Sequence, residues 1–302
     1  MAVRDAPTGS SASGALLIAA LRFLPKNAVS RLAGRIVSVR LPGPLQRWQI
    51  RAFARVFGVD WSEIRDPITS FRSLQGFFVR ALLPEARPVD TDPDAFVSPC
   101  DGAWGESGIV KEGMLLQIKG RPYSLGALLG DDASAEHFEG GSYATLYLSP
   151  RDYHRFHAPC NVRIARLRYL PGTLWPVNRA GVEGVDALFA QNERICTFMD
   201  LPDPGGRNAL CIVAVGATLV GKVRVNFDSL SSNLAGAAIQ ERVFGEEAPR
   251  LVKGEEWGRF EFGSTLVIVA APGVARIEEH EPGASVRMGT RIGALRRECG
   301  AA

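Results

Sequence analysis

The sequence feature that most constrains the fold is a continuous apolar run near the C-terminus, residues 266–271. A short run without polar alternation is typical of a buried strand. The three residues before it, Gly263, Ser264 and Thr265, are small, so another group can approach their backbone closely. Because a Gly-Ser-Thr sequence is common by chance, its meaning depends on the rest of the chain.

Composition places the chain among ordinary globular proteins. Its 302 residues are 46% hydrophobic and 22% charged, which predicts one large domain, or one domain with an appendage. The five cysteines are odd in number and form no Cys-x-x-Cys pair, so we expect no zinc site, no disulfide framework and a reducing compartment. No stretch reaches the ~20 apolar residues that span a bilayer.

The N-terminal segment is basic. Residues 1–60 contain nine Arg or Lys and two Asp, which favours an anionic partner surface. We expect helices over residues 15–39, interrupted at Pro25, and over residues 44–57. In the second helix two sets of residues recur every four positions, one basic and one largely apolar: Arg47, Arg51 and Arg55, and Trp48, Ala52 and Val56.

This pattern has two interpretations. The helix lies in a membrane interface with its arginines at the phosphates, or it packs on the protein body with a solvated basic face. The basic charge favours the membrane. We therefore predict a membrane-association segment over residues 1–62 and a second domain over residues 63–302.

The remainder of the chain predicts an α+β fold with a mainly antiparallel β domain. Residues 71–89 contain prolines and are expected to be extended. Residues 282–293 resemble the turn and strand pattern of lipoyl-like barrel sandwiches. Short β-like segments separated by Gly and Pro turns follow residue 89, the clearest being 115–118, 143–148, 164–170, 209–215, 219–227 and 266–271.

Two further motifs carry residues capable of chemistry. His154 and His157, two of only four histidines, lie in a short segment after a predicted strand. With no third histidine and no paired cysteine nearby, we expect no metal site there. Asp101 follows Pro99 in a turn and precedes Gly102, an arrangement that is by itself an ordinary Asx turn.

Taken together and in order, these motifs resemble the phosphatidylserine decarboxylases, which depend on a pyruvoyl group. The resemblance covers residues 71–292. It rests on three central motifs and several shorter stretches: Ser98-Pro99-Cys100-Asp101-Gly102, Tyr153-His154-Arg155-Phe156-His157 and Gly263-Ser264-Thr265, with Phe77-Phe78-Val79-Arg80, Ala86-Arg87-Pro88, residues 118–125, 170–174 and 189–194, and Val215-Gly216-Ala217-Thr218.

The resemblance implies self-cleavage. Ser264 would attack the Gly263 carbonyl, with His157 as base and Asp101 orienting it, in the manner of a catalytic triad. The products would be a β chain, residues 1–263, and an α chain, residues 264–302, whose first residue becomes a pyruvoyl group. That group would form a Schiff base with phosphatidylserine, release CO₂ and yield phosphatidylethanolamine.

The resemblance also suggests how the reaction ends and where it occurs. A proton must return to the substrate, and His154, with an imidazole pKa expected near the working pH, or His157 would supply it. We expect a homodimer on the cytoplasmic side of the cell membrane, attached peripherally to anionic lipid. No nucleic-acid partner is expected.

Three alternatives stay open at this point. The chain could be a membrane-anchored barrel-sandwich binding module that is never cut, or a pyruvoyl decarboxylase for another lipid with an amino head group. The third is a thiol hydrolase that uses Cys100 or Cys160 with His157. Cysteines are more often small buried residues than nucleophiles, which counts against it.

Overall fold

The computed structural model describes residues 25–117, 120–202, 209–218, 222–233, 236, 238–261 and 264–296, with only the backbone of Arg179 and Ser264. Seven α-helices are described: α1 Lys26–Ser38, α2 Gly43–Phe57, α3 Leu74–Phe78, α4 Leu125–Leu129, α5 Asp132–Glu136, α6 Arg179–Gly184 and α7 Leu188–Gln191. Single 3₁₀ turns occur at Ile68–Ser70 and Pro84–Ala86.

The strands, all in antiparallel pairs, form most of the domain. They are β1 Ala95–Val97, β2 Gly102–Ile109, β3 Met114–Gln117, β4 Arg121–Ser124, β5 Ser142–Leu148, β6 Arg155–His157, β7 Val162–Leu170, β8 Arg194–Asp200, β9 Leu210–Val215, β10 Val223–Val225, β11 Gln240–Val243, β12 Arg250–Leu251, β13 Glu256–Phe260, β14 Ser264–Ala270, β15 Ala275–Ile277, β16 Ser285–Val286 and β17 Arg291–Leu295.

A nine-stranded sheet organises the molecule. Its order is β11-β7-β8-β9-β14-β5-β2-β16, with β12 also paired to β7. Two three-stranded sheets, β1-β17-β15 and β10-β13-β6, and the hairpin β3-β4 accompany it. The mainly antiparallel α+β fold expected from the sequence is confirmed.

Both faces of the large sheet are buried. Along β14, Leu266 and Ile268 belong to one core with Phe156 and Trp257 from the β10-β13-β6 sheet. Val267 belongs to a second core with residues of α4, α7 and the β3-β4 hairpin. The alternation of side chains along a strand sends successive residues into the two cores, which is why the run is apolar throughout.

The N-terminal helices form a third, smaller cluster. Ile50 and Ala54 of α2 pack against Leu74 and Phe77 of α3, all of them buried. The helices expected near residues 26–39 and 44–57 are confirmed as α1 and α2, whereas the expectation for residues 15–24 lies outside the described residues. None of the helices that the structure describes is long and apolar enough to cross a membrane.

Most of the predicted strands are present. The structure differs from the expectations in one extended segment and in one strand. Residues 71–89 are not extended throughout, because α3 forms at Leu74–Phe78, where the Ser73 hydroxyl accepts a hydrogen bond from Gly76 N at 3.0 Å and caps the helix. In the segment 219–227, strand structure is described only for Val223–Val225. The division of the chain at residue 62 stays a prediction.

Candidate functional site

The site lies where two neighbouring chain segments pass between the large sheet and the small β10-β13-β6 sheet. β5 of the large sheet continues through residues 149–154 into β6 of the small sheet, and β13 of the small sheet leads into β14 of the large sheet. Phe260 N donates to His154 O at 2.9 Å, and Ser264 pairs with Leu148. Phe260, three residues before Gly263, and Ser264 are therefore both hydrogen-bonded or paired to residues 148–154.

The connecting loop is fixed by several hydrogen bonds. Asp152 Oδ2 accepts from Ser149 N at 2.6 Å and from its hydroxyl at 2.7 Å. The buried guanidinium of Arg80 donates to Arg151 O at 2.6 Å and to Asp152 O at 3.2 Å. A loop held in this way leaves little freedom to His154 at its end and to His157 in the strand that follows.

His157 is a buried, neutral imidazole with a defined tautomer. Its Nδ1 lies 2.8 Å from Gly254 O, and since a carbonyl only accepts, Nδ1 carries the proton. Nε2 then accepts from the Tyr153 hydroxyl at 3.1 Å. Burial lowers the pKa of His157, with the Gly254 hydrogen bond acting in the opposite direction. Nε2 is therefore a lone-pair acceptor, as a general base requires.

His154 has the same tautomer and a different environment. Nδ1 donates to Asp152 O at 2.8 Å, and the ring lies 4.0 Å from that of Phe78, centroid to centroid. Nε2 is buried and has no hydrogen-bond partner among the described residues. Burial lowers the pKa of His154 to about 3, to which the nearby Arg80 also contributes. The expectation of a pKa near the working pH is thus wrong for the structure described.

Asp101 is buried in an ion pair. Arg87 Nε donates to both carboxylate oxygens, at 2.7 and 3.0 Å, and Met288 N donates to Oδ1 at 2.9 Å. Arg87 also pairs with Glu63 at 2.9 Å, and Glu63 with Arg287 at 3.2 Å. Asp101 is therefore part of a charged network that joins three parts of the chain and contacts the segment after the Gly263–Ser264 bond.

The direct contact expected between Asp101 and His157 is not among the hydrogen bonds of the described residues. A backbone hydrogen bond from His157 N to Pro99 O, 2.8 Å long, links their two segments. The side chain of Ser264, together with Phe262 and Gly263, lies outside the description. The triad of Asp101, His157 and Ser264 therefore stays a prediction.

Sequence reasoning assigned no role to Arg87, Tyr153 and Gly254, which contact the predicted site residues. Arg87 and Tyr153 lie inside quoted motifs, so the motif was a signal for them. No sequence signal pointed to Gly254, because its carbonyl meets His157 only through the fold, 97 residues away along the chain. Gly102 of the Asp-Gly motif has a local reason, since a Cβ there would lie 2.6 Å from Tyr147 O.

Thiol and metal chemistry receive no support from the described residues. Cys100 and Cys160 are buried, and burial raises the pKa of Cys160 to about 12 and that of Cys100 well above its ordinary value. A reactive cysteine needs the opposite shift. No group of three or more His, Cys, Asp or Glu within the described ranges could hold a metal ion.

Comparison with known proteins points to one family. The sequence model of the family described as phosphatidylserine decarboxylase matches residues 74–294. The chain is 45% identical over 281 residues to a phosphatidylserine decarboxylase proenzyme of Anaeromyxobacter sp. (strain K), which covers 92% of this chain and 98% of that relative. It is 41% identical over 256 residues to that of Brevibacillus brevis, covering 84% of this chain and 88% of the relative.

The buried histidines predict a pH-dependent stability. The unfolded chain binds a proton at His154 near pH 6.5, whereas the folded chain binds it only near pH 3, so the free energy of unfolding falls as the pH is lowered between these values. His154→Gln is expected to reduce this slope by up to about 1.4 kcal/mol per pH unit, measured by urea unfolding from pH 6.5 to 4.5. His137→Gln, which replaces an exposed histidine elsewhere in the chain, is the matched control for the substitution itself. An unaltered slope in His154→Gln would contradict the burial of a neutral ring.

Proposed function

Because the chain belongs to the phosphatidylserine decarboxylase family and is thus a carboxy-lyase, we propose that it converts phosphatidylserine to phosphatidylethanolamine and CO₂ with a pyruvoyl group made from its own Ser264. The observation that carries this proposal is the position of β14. Its first residue, Ser264, pairs with the last residue of β5, directly before the loop that ends at His154 and leads into β6 with His157.

Self-processing would begin at Ser264. Its hydroxyl attacks the Gly263 carbonyl while a base takes the hydroxyl proton, and the amide becomes an ester. Loss of the Ser264 α-proton eliminates that ester, and hydrolysis of the remaining enamine releases ammonia. His157 is suited to the role of base because burial and the Gly254 carbonyl keep Nε2 unprotonated and oriented. The Tyr153 hydroxyl donates to Nε2 at 3.1 Å, so it would have to move aside or relay the proton of the Ser264 hydroxyl.

A buried acceptor of the histidine segment is available to a hydrogen-bond donor, such as the amine of the substrate. The Nε2 atom of His154 is buried and lacks a described partner, and such an atom is expected to have one. A pyruvoyl group at residue 264 would supply the electron sink for decarboxylation. His154, neutral in the structure, would accept a hydrogen bond or proton at Nε2 before donating it, so its role as the final donor depends on a pKa that substrate binding raises.

The α chain would remain attached after cleavage. β14 is hydrogen-bonded on both sides, to β5 and to β9. β16 pairs with β2 and β17 with β1, so three strands of the α chain join strands of the β chain. The hydrogen bond from Met288 N to Asp101 adds a charge-assisted contact.

Membrane association is supported by the exposed faces of α1 and α2. Ile36 is 58% exposed, Trp48 66% and Val56 75%, although α2 also packs on the body through Ile50 and Ala54. Exposed apolar side chains next to the exposed Arg51 and Arg55 suit a lipid interface. We propose peripheral attachment on the cytoplasmic side, and a homodimer remains the expectation from the family.

Substitution of the proposed processing groups should separate their roles. Ser264→Ala and His157→Ala are each expected to leave an uncut 32.6 kDa chain on a denaturing gel, because the nucleophile or its base is lost. His154→Ala should still be cut but should decarboxylate at least about a hundredfold more slowly. Cleavage in Ser264→Ala would refute the assigned nucleophile, and an uncut His154→Ala would transfer the role of base to His154.

The membrane face is tested with vesicles of phosphatidylglycerol and phosphatidylcholine. Trp48→Gln/Val56→Gln should bind them at least about tenfold more weakly, because two exposed apolar side chains no longer enter the interface. The matched control is Ile239→Gln/Val243→Gln, which changes two exposed apolar residues at β11 and should bind normally. Equal binding by both variants in a sedimentation assay would contradict a membrane role for α2.

A further inference from the structure

A cavity of about 770 Å³ is lined in part by Glu261, two residues before Gly263 in the sequence, and has no role in the chemistry above. It is bounded by α1, by α3 and by the β10-β13 edge of the small sheet. Its described lining contains five cationic side chains and a single carboxylate: Arg31, Arg35, Lys222, Arg224 and Arg259, with Glu261. This is a strongly positive concave surface.

Much of that charge is not neutralised within the described structure. Glu261 pairs with Arg224 at 2.6 Å and accepts from Gln75 at 2.7 Å, so the carboxylate is already engaged. None of the ion pairs found among the described residues includes Arg31, Arg35 or Lys222. Arg31 does face one buried carboxyl: burial raises the pKa of Glu193, and the charge of Arg31 acts in the opposite direction. Cations gathered in a concave site concentrate the field and attract an anion.

The cavity borders the reaction site through two short connections. Glu261, in its wall, comes two residues before Gly263, and Glu261 N donates to Lys222 O at 2.7 Å. On the opposite side, Gln75 and Val79 at α3 line the cavity, while Phe78 of the same helix contacts the ring of His154. The cavity is therefore connected to the histidine segment by α3 on one side and by the end of β13 on the other.

Resting on the proposed function, we propose that this cavity binds the phosphodiester of the lipid head group, with Arg31 and Lys222 as its main ligands. Only a short linker separates the phosphate from the amine and carboxylate of the serine part. Holding the unreactive phosphate adds binding energy that is the same in the ground state and the transition state, and this energy selects a phosphoserine lipid over free serine. Arg and Lys are the usual ligands of phosphate oxygens.

The test uses decarboxylation in mixed micelles of an uncharged detergent with a low fraction of phosphatidylserine, where attraction to an anionic membrane is small. Arg31→Gln/Lys222→Gln should raise the KM for phosphatidylserine by about tenfold or more, as the loss of charge-assisted hydrogen bonds predicts, with kcat within about twofold. Arg31→Lys/Lys222→Arg, which retains both charges, should recover most of the affinity. The matched control, Arg242→Gln/Arg250→Gln, removes two exposed arginines elsewhere and should leave KM unchanged.

Competition distinguishes a head-group site from a general anion site. Glycerophosphoserine should inhibit wild type at a lower concentration than inorganic phosphate, and less strongly in Arg31→Gln/Lys222→Gln. Inorganic phosphate inhibiting equally well, or a KM unchanged in that variant while wild type is active, would overturn the cavity assignment. A wild-type enzyme that releases no CO₂ would instead contradict the proposed function. A denaturing gel shows whether each variant has been cut, which requires a folded site. If the double variant is not cut, KM is measured for the single variant Arg31→Gln, which should also rise; an unchanged KM would overturn the cavity assignment.

Discussion

The structure depends on the hydrogen bonding of β14 to strands on both of its edges. A strand in this position cannot be withdrawn without leaving two rows of backbone groups unpaired in the core. Its side chains also enter both apolar cores. The strand can therefore keep its place if the peptide bond before it is cut. A protein whose cofactor forms at a new N-terminus must meet this condition.

Buried charge performs a related function at Asp101. A buried ion pair is costly unless its remaining hydrogen-bonding positions are filled, and Arg87, Glu63 and Met288 N fill them here. The network joins Glu63 and Arg87, the Asp-Gly motif, and residues 287–288 after the Gly263–Ser264 bond. Asp101 thus has a structural role in the described structure besides the orienting role that the family resemblance implies, and a loss of function in an Asp101 variant would reflect both.

Sequence alone predicted the parts of the fold that follow from local patterns. β14 contains a buried apolar run, β5 is mostly apolar apart from Ser142 and Thr145, and α2 has helical periodicity. β8 was missed because Arg194, Thr197 and Asp200 interrupt its apolar pattern, although all three are buried. Arg194 is accommodated by the carbonyls of Leu128, Asn192 and Ala127, contacts that no local pattern could reveal.

The candidate site divides in the same way. The motifs identified His154, His157, Asp101 and Ser264, but the protonation of each histidine depends on burial and on partners from other segments. The basic cavity was not predicted because α1, β10 and β13 contribute its cations from distant parts of the chain.

The central claim is that Ser264 becomes the cofactor of the enzyme, and intact mass spectrometry of the purified wild-type protein tests it most directly. The account predicts two chains, the smaller one lighter by one molecule of ammonia than the sequence of residues 264–302, because a pyruvoyl group replaces the N-terminal serine. A single chain of 32.6 kDa, or a small chain that retains an amino-terminal serine, would contradict it.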